Sequence, residues 1–166
     1  VAKSGASARY WNSQIRPTTR VADAYSVNSS VNSTLRKHGV GARLVAPSGG
    51  VLKGFSAVVL TSEASAKHAI LKADVTQHAR LTASRNSSRV YPNSPMGAVA
   101  LARQSLYDAE WYREAWLAAE ADATLTRPER NIDLLAWNEV HERRVPLVID
   151  TSNELFFLRA DRFARE

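Results

Sequence analysis

The chain has 166 residues, 45% of them hydrophobic and 23% charged, long enough to bury a core and too apolar for disorder. The absence of cysteine excludes disulfides, thiolate zinc sites and cysteine nucleophiles. The net charge is +6, but the 17 arginines and 5 lysines are spread along the chain rather than gathered in a patch, which argues against a nucleic-acid partner.

Residues 1–34, rich in Ser, Asn, Thr and Ala, read as a loop-rich lead-in. A start of Val1-Ala2-Lys3-Ser4-Gly5, without methionine or an apolar core, fits a processed or excised chain. Thr34-Leu35-Arg36-Lys37-His38-Gly39 reads as the last turn of a helix, with cations near its end and Gly39 after it. Residues 42–46 form a predicted strand, stopped by Pro47-Ser48-Gly49-Gly50, and residues 55–60 form a second. The apolar runs, such as Ala57-Val58-Val59-Leu60, are too short to span a bilayer, so no membrane partner is expected.

Residues 61–93 alternate short apolar pieces with polar ones, and residues 84–88 carry a loop signal. Ser94-Pro95 opens the clearest helix, capped by the serine. Its predicted buried face holds Met96, Ala100, Tyr107, Trp111, Ala115 and Ala118. Thr126-Arg127-Pro128-Glu129 matches a capping box for another helix, with Ile132, Leu135 and Val140 as its buried side. The Arg143-Arg144 pair suits that helix's end. Val145-Pro146-Leu147-Val148-Ile149-Asp150 is then a short strand, and a second capping-box match at residues 151–154 launches a helix still running at Glu166. Helix, strand, helix in this order predicts an α/β fold with parallel strands. The missing closing strand predicts a truncated architecture.

Few constellations carry chemistry. Residues 47–54 (Pro-Ser-Gly-Gly-Val-Leu-Lys-Gly) are the best phosphate-loop candidate, but they lie between two strand-like runs and fit neither GxxxxGK[ST] nor GxGxxG. A hairpin or long turn is the better reading. Gly39-Val40-Gly41 is weaker still. His38, His68, His78 and His141 make no HxH or HExxH, and no serine has the setting of a nucleophile elbow. Tyr107, Trp111, Tyr112 and Trp116 fall at helical spacing, which suits core or interface packing before a ligand platform. Asp150 stands apart, because it ends an apolar strand and precedes a helix. In open sheets and barrels functional residues collect at that edge, although a carboxylate there also caps the next helix.

From Leu44 to Glu166 the motif order resembles the amidohydrolase superfamily, in its imidazolonepropionase-like branch. The match rests on Arg89-Val90-Tyr91, on Met96-Gly97-Ala98 with Ala102-Arg103-Gln104 and Asp108-Ala109 to Tyr112, and on residues 146–160. Residues 39–54 are similar to the family's second barrel strand and following loop. The resemblance implies a partial (β/α)₈ TIM-barrel segment, the middle of a hydrolase acting on C–N bonds, often in cyclic amides, with one or two divalent metals such as zinc. It implies that residues 1–166 are one segment, with 1–34 as lead-in and 35–166 as barrel strands and helices. It tilts the setting toward the periplasm or secretion.

Two positions depart from the family pattern. Arg80 stands where close relatives have a bridging lysine, and arginine has no lone pair for a metal. Asp150 stands where they have a strand-end histidine, and is the candidate metal ligand and catalytic residue. A slip of a residue or two in the alignment near Arg80 would let His78 be mistaken for a ligand. The chain alone is expected to be inactive and to hold no metal. Its expected partners are the remaining barrel segments or copies of itself, with a small-molecule substrate in the parent. The alternative reading is a non-catalytic assembly module that packs on partner chains through its aromatic helix.

Overall fold

A computed structural model describes residues 8–82, 91–142 and 144–165. The Val1-to-Gly5 start, the loop at residues 84–88, Arg89, Val90, Arg143 and Glu166 lie outside them. The elements are α1 (Val21–Ala24), α2 (Ser29–Lys37), β1 (Ala42–Val45), β2 (Leu52–Phe55), β3 (Ala57–Leu60), α3 (Ala66–Ala69), β4 (Ile70–Lys72), β5 (Gln77–Ala79), α4 (Pro95–Ala121), α5 (Ile132–His141), β6 (Leu147–Ile149) and α6 (Glu154–Arg165).

The strands form two three-stranded sheets, β1-β3-β4 and β2-β5-β6. A barrel segment with parallel strands is the expectation, beside a hairpin or long turn at residues 47–54. Among the described residues β5 and β6 pair parallel, while β1–β3, β3–β4 and β2–β5 are antiparallel. The fold is therefore mixed α/β with small sheets and some parallel pairing.

The predicted strand over 55–60 is two strands in different sheets. The chain changes sheet at Ser56, which is fully buried and satisfies its polar groups on Thr76: its N–H donates to Thr76 O (2.9 Å), and the two hydroxyls lie 2.6 Å apart. The reading of residues 47–54 as a hairpin or long turn holds in its longer form, since the two predicted runs pair antiparallel as β1 and β3, while β2, which joins the other sheet, lies within the connection between them. Residues 47–54 thus end inside β2.

Residues 8–20 do more than lead in. Ile15 bridges Leu52 and Arg20 bridges Phe55, so this segment runs along the edge of β2 that β5 leaves free. Val51 N–H donates to Gln14 O (2.8 Å) and Phe55 N–H to Thr19 O (2.7 Å). The approach demands glycine at position 54. Its φ is +108°, and a Cβ there would lie 2.1 Å from Thr19 O. With both edges of β2 covered, Leu52, Lys53, Gly54 and Phe55 are all buried. Asp133 anchors the same segment to α5, accepting from Tyr10 N–H (2.9 Å) and the Thr18 hydroxyl (2.7 Å).

Ser94 caps α4 as expected, accepting from Gly97 N–H. The buried face of α4 is not the expected one. Ala98, Leu101, Ala102, Ser105, Ala109, Tyr112 and Ala119 are buried, while Met96 is 83% and Trp111 63% exposed. Small side chains let the helix sit close to α5, and the core forms from Ala98, Leu101, Ala102, Ala109 and Tyr112 against Val51, Leu52, Ala79, Leu81, Leu134 and Trp137.

Helix α5 starts at Ile132 rather than within residues 126–129, because the Asn131 side chain accepts from the N–H groups of Asp133 and Leu134. It buries Leu134 and Trp137 in place of Leu135, which is exposed. Asn153 likewise caps α6, accepting from Phe156 N–H (3.0 Å), in place of the expected residue 151. The turn after α2 is as predicted, with Gly39 at φ +79°. No helix among the described residues is long and apolar enough to cross a membrane.

Candidate functional site

Asp150 follows β6 at the carboxyl end of the one described parallel pair, where Ala79 lies opposite Ile149 and Asp150 N–H donates to Ala79 O (2.8 Å). Its side chain is 32% exposed and faces two buried groups. The Lys53 ammonium, on a side chain 8% exposed, forms an ion pair with Oδ2. His78 Nδ1, on a side chain 5% exposed, lies 3.8 Å from Oδ1. That separation is beyond a hydrogen bond. Nδ1 is buried without a partner, a costly state that a small approach of the carboxylate would relieve.

The other ring nitrogen is held. His78 Nε2 lies 2.9 Å from Thr76 Oγ1, which in turn meets the Ser56 hydroxyl. A chain of polar contacts thus runs from the Asp150 carboxylate into the corner where the sheets divide. Burial is the largest influence on the imidazole and lowers its pKa below the ordinary 6.5. The Asp150 charge opposes that and the Lys53 charge adds to it. His78 therefore stands neutral at pH 7. A half-exposed carboxylate fixed by a buried cation, beside a neutral imidazole, is suited to accept a proton from water or substrate.

The other candidates do not gather here. Arg80 follows β5 and is exposed, its N–H donating to Val51 O (2.8 Å). His38 ends α2. His68 Nδ1 meets the Ser65 hydroxyl at 2.8 Å, and His141 lies 3.9 Å from a Glu110 oxygen. The aromatic set divides: Tyr112 is buried and packs edge-on against Trp116 (73°, 6.2 Å), whereas Tyr107 and Trp111 face outward. A cavity of about 540 Å³ lined by Tyr112, Trp116, Asn138 and Glu142, among others, lies between α4 and α5 and does not include Asp150.

Lys53 is the member that sequence reasoning missed. It was counted within a turn. The available signal was a lone charge inside the apolar run Val51-Leu52-Lys53-Gly54-Phe55, a pattern that calls for a buried counter-charge.

A divalent metal needs several converging lone pairs. Asp150 and His78 offer two groups, and an ammonium, which can only donate, already takes Oδ2. Among the described residues no group of three or more His, Asp or Glu side chains is placed to hold a metal ion. The residues present do not fit the zinc centre that the resemblance implies.

No protein-family model matches the sequence. No curated protein matches it either. Among solved structures, the crystal structure of an amidohydrolase from Thermotoga maritima MSB8 is similar, with a TM-score of 0.71 and 16% identity over 93% of this chain and 42% of that one. The chain thus spans about two fifths of the length of the structure it matches. At this identity the likeness is one of fold. The mixed α/β fold of this chain is similar to that of part of the matched structure.

Proposed function

We propose that the chain is part of an amidohydrolase-like (β/α)₈ barrel, in which β5 and β6 are neighbouring barrel strands and Asp150 stands at the catalytic rim. The observation that carries the reading is the position of Asp150, half-exposed at the carboxyl end of a parallel pair and backed by two buried polar side chains. The fold likeness supports it, as does the edge of β6 that is unpaired among the described residues, where a further strand can pair. The motifs at residues 96–112 and 146–160 support the finer placement in the imidazolonepropionase-like branch.

In this reading the full-length protein hydrolyses a C–N bond of a small cyclic amide. Asp150 takes a proton from water while the water oxygen bonds to the carbonyl carbon. The C–N bond then breaks, and the proton passes to the departing nitrogen. Lys53 positions the carboxylate, and His78 lies beside its other oxygen. Turnover of a panel of lactams, cyclic imides and cyclic ureas by the full-length protein tests this. Asp150→Asn is expected to lower kcat by about 100-fold or more, the usual range for a lost general base, with the circular-dichroism spectrum unchanged. Unaltered turnover in that variant would remove Asp150 from the chemistry.

A second reading, assembly on partner chains, is favoured by a separate observation. Met96, Tyr107, Trp111 and Leu117 on α4 and Leu155, Phe157 and Leu158 on α6 are exposed. Size-exclusion chromatography with light scattering on this chain decides it. Oligomers abolished by Trp111→Glu support assembly, and a monomer at high concentration opposes it.

A further inference from the structure

We infer that Lys53 takes the cation's place in this site, its ammonium occupying the face of Asp150 that a divalent metal would need, so that the Asp150–His78 pair works without a metal bridging it. The inference rests on the barrel reading above for the site's role. Its geometric basis is independent of that role.

Three observations carry it. The Lys53 ammonium is in direct contact with Asp150 Oδ2. It cannot easily withdraw, because β2 is paired on one edge with β5 and bridged on the other by Ile15 and Arg20. Gly54, next in the strand, lies so close to Thr19 that no side chain fits there, which fixes the register of Lys53 against that segment. The ammonium is also almost wholly buried, so its charge is weakly screened by solvent. A divalent ion placed between Asp150 and His78 would meet that charge at short range. Among the described residues it would find one carboxylate oxygen already engaged and a single imidazole as its other ligand.

Lysine and metal therefore compete for one carboxylate, and the fixed, buried group has the advantage. An ammonium and a metal ion both neutralise Asp150, but only the metal also acidifies a bound water. The site accordingly acts as a carboxylate base held by an organic cation.

The test is zinc titration by calorimetry of the chelator-treated full-length protein, in the wild type, Asp150→Asn, Lys53→Leu and the Lys53→Leu/Asp150→Asn double variant. Lys53→Leu keeps the buried apolar stem and removes the charge. Zinc affinity is expected to be the same in the wild type and Asp150→Asn, to rise at least tenfold in Lys53→Leu, and to fall back in the double variant. A wild-type zinc affinity that Asp150→Asn lowers tenfold would overturn the inference, because zinc would then already sit on Asp150. An unchanged affinity in folded Lys53→Leu would overturn it too. If Lys53→Leu fails to fold, the comparison of wild type with Asp150→Asn still decides. The two proposals fail separately. Lost turnover with zinc on wild-type Asp150 leaves the hydrolase reading standing, whereas unaltered turnover with zinc gained in Lys53→Leu leaves only the cation assignment.

Discussion

His78 brings chemistry and stability together. Burial lowers its pKa from 6.5, so the folded protein resists a proton that the unfolded chain accepts. Between the folded value and 6.5 the unfolded state binds more protons, and stability rises with pH across that window. The contribution of His78 is complete above about 6.5 and is lost as the pH falls through the folded value. Urea unfolding midpoints measured from pH 5 to 8 should therefore decline toward the acid end. In His78→Gln, which cannot titrate, that decline should be shallower, and an equal slope in both proteins would show that the ring is not held neutral. The residues of the site were unequally legible. Asp150 was visible because an apolar strand and a helix start flank it. His78 drew notice only as a histidine in a segment without clear pattern, since a three-residue strand such as β5 leaves too short a period to read. Lys53 was hidden by Gly49, Gly50 and Gly54. Those glycines suggest a turn, but Gly54 instead permits a close approach between Thr19 and a strand.

At the scale of elements, α4 shows how a correct helix can be given the wrong face. The large side chains Met96, Tyr107 and Trp111 recur at helical spacing and define an outward stripe, while the inward stripe is built mainly of alanine. Alanine contributes little to a hydrophobic pattern, yet it allows the backbone to approach α5. Truncation separates the two faces. Leu101→Ala, at a site 1% exposed, should cost about 3 kcal/mol by the usual sum of transfer and cavity effects. Met96→Ala, on the outward face, should stay within about 0.5 kcal/mol. Denaturant unfolding measures both, and equal costs would mean that α4 is turned differently. The helix starts were misread for a related reason. The Thr126-to-Glu129 and Thr151-to-Glu154 patterns match a capping box, but Asn131 and Asn153 supply the capping oxygens. Asparagine caps by itself, without the reciprocal glutamate that makes a box conspicuous.

For the molecule as a whole, the α/β class and the last strand–helix unit were legible because both depend on local order along the chain. Pairing across the chain was not. Nothing in the run 55–60 announces that Ser56 divides two sheets, or that residues 15–20 will lie beside β2, since both depend on contacts distant in sequence. The antiparallel pairing of β2 with β5 is the feature least expected of a parallel barrel, and it is also what brings Lys53 to Asp150. The edge of β6 away from β5 is unpaired among the described residues. In a barrel that edge receives the next strand, parallel to β6, and Asp150 then lies on a continuous carboxyl rim. A crystal structure of the full-length protein examines this directly. It should show a strand from outside this chain paired parallel to β6, with the Asp150 carboxylate opening onto the barrel mouth. A β6 that remains an edge, or that gains an antiparallel neighbour, would contradict the barrel and with it the hydrolase.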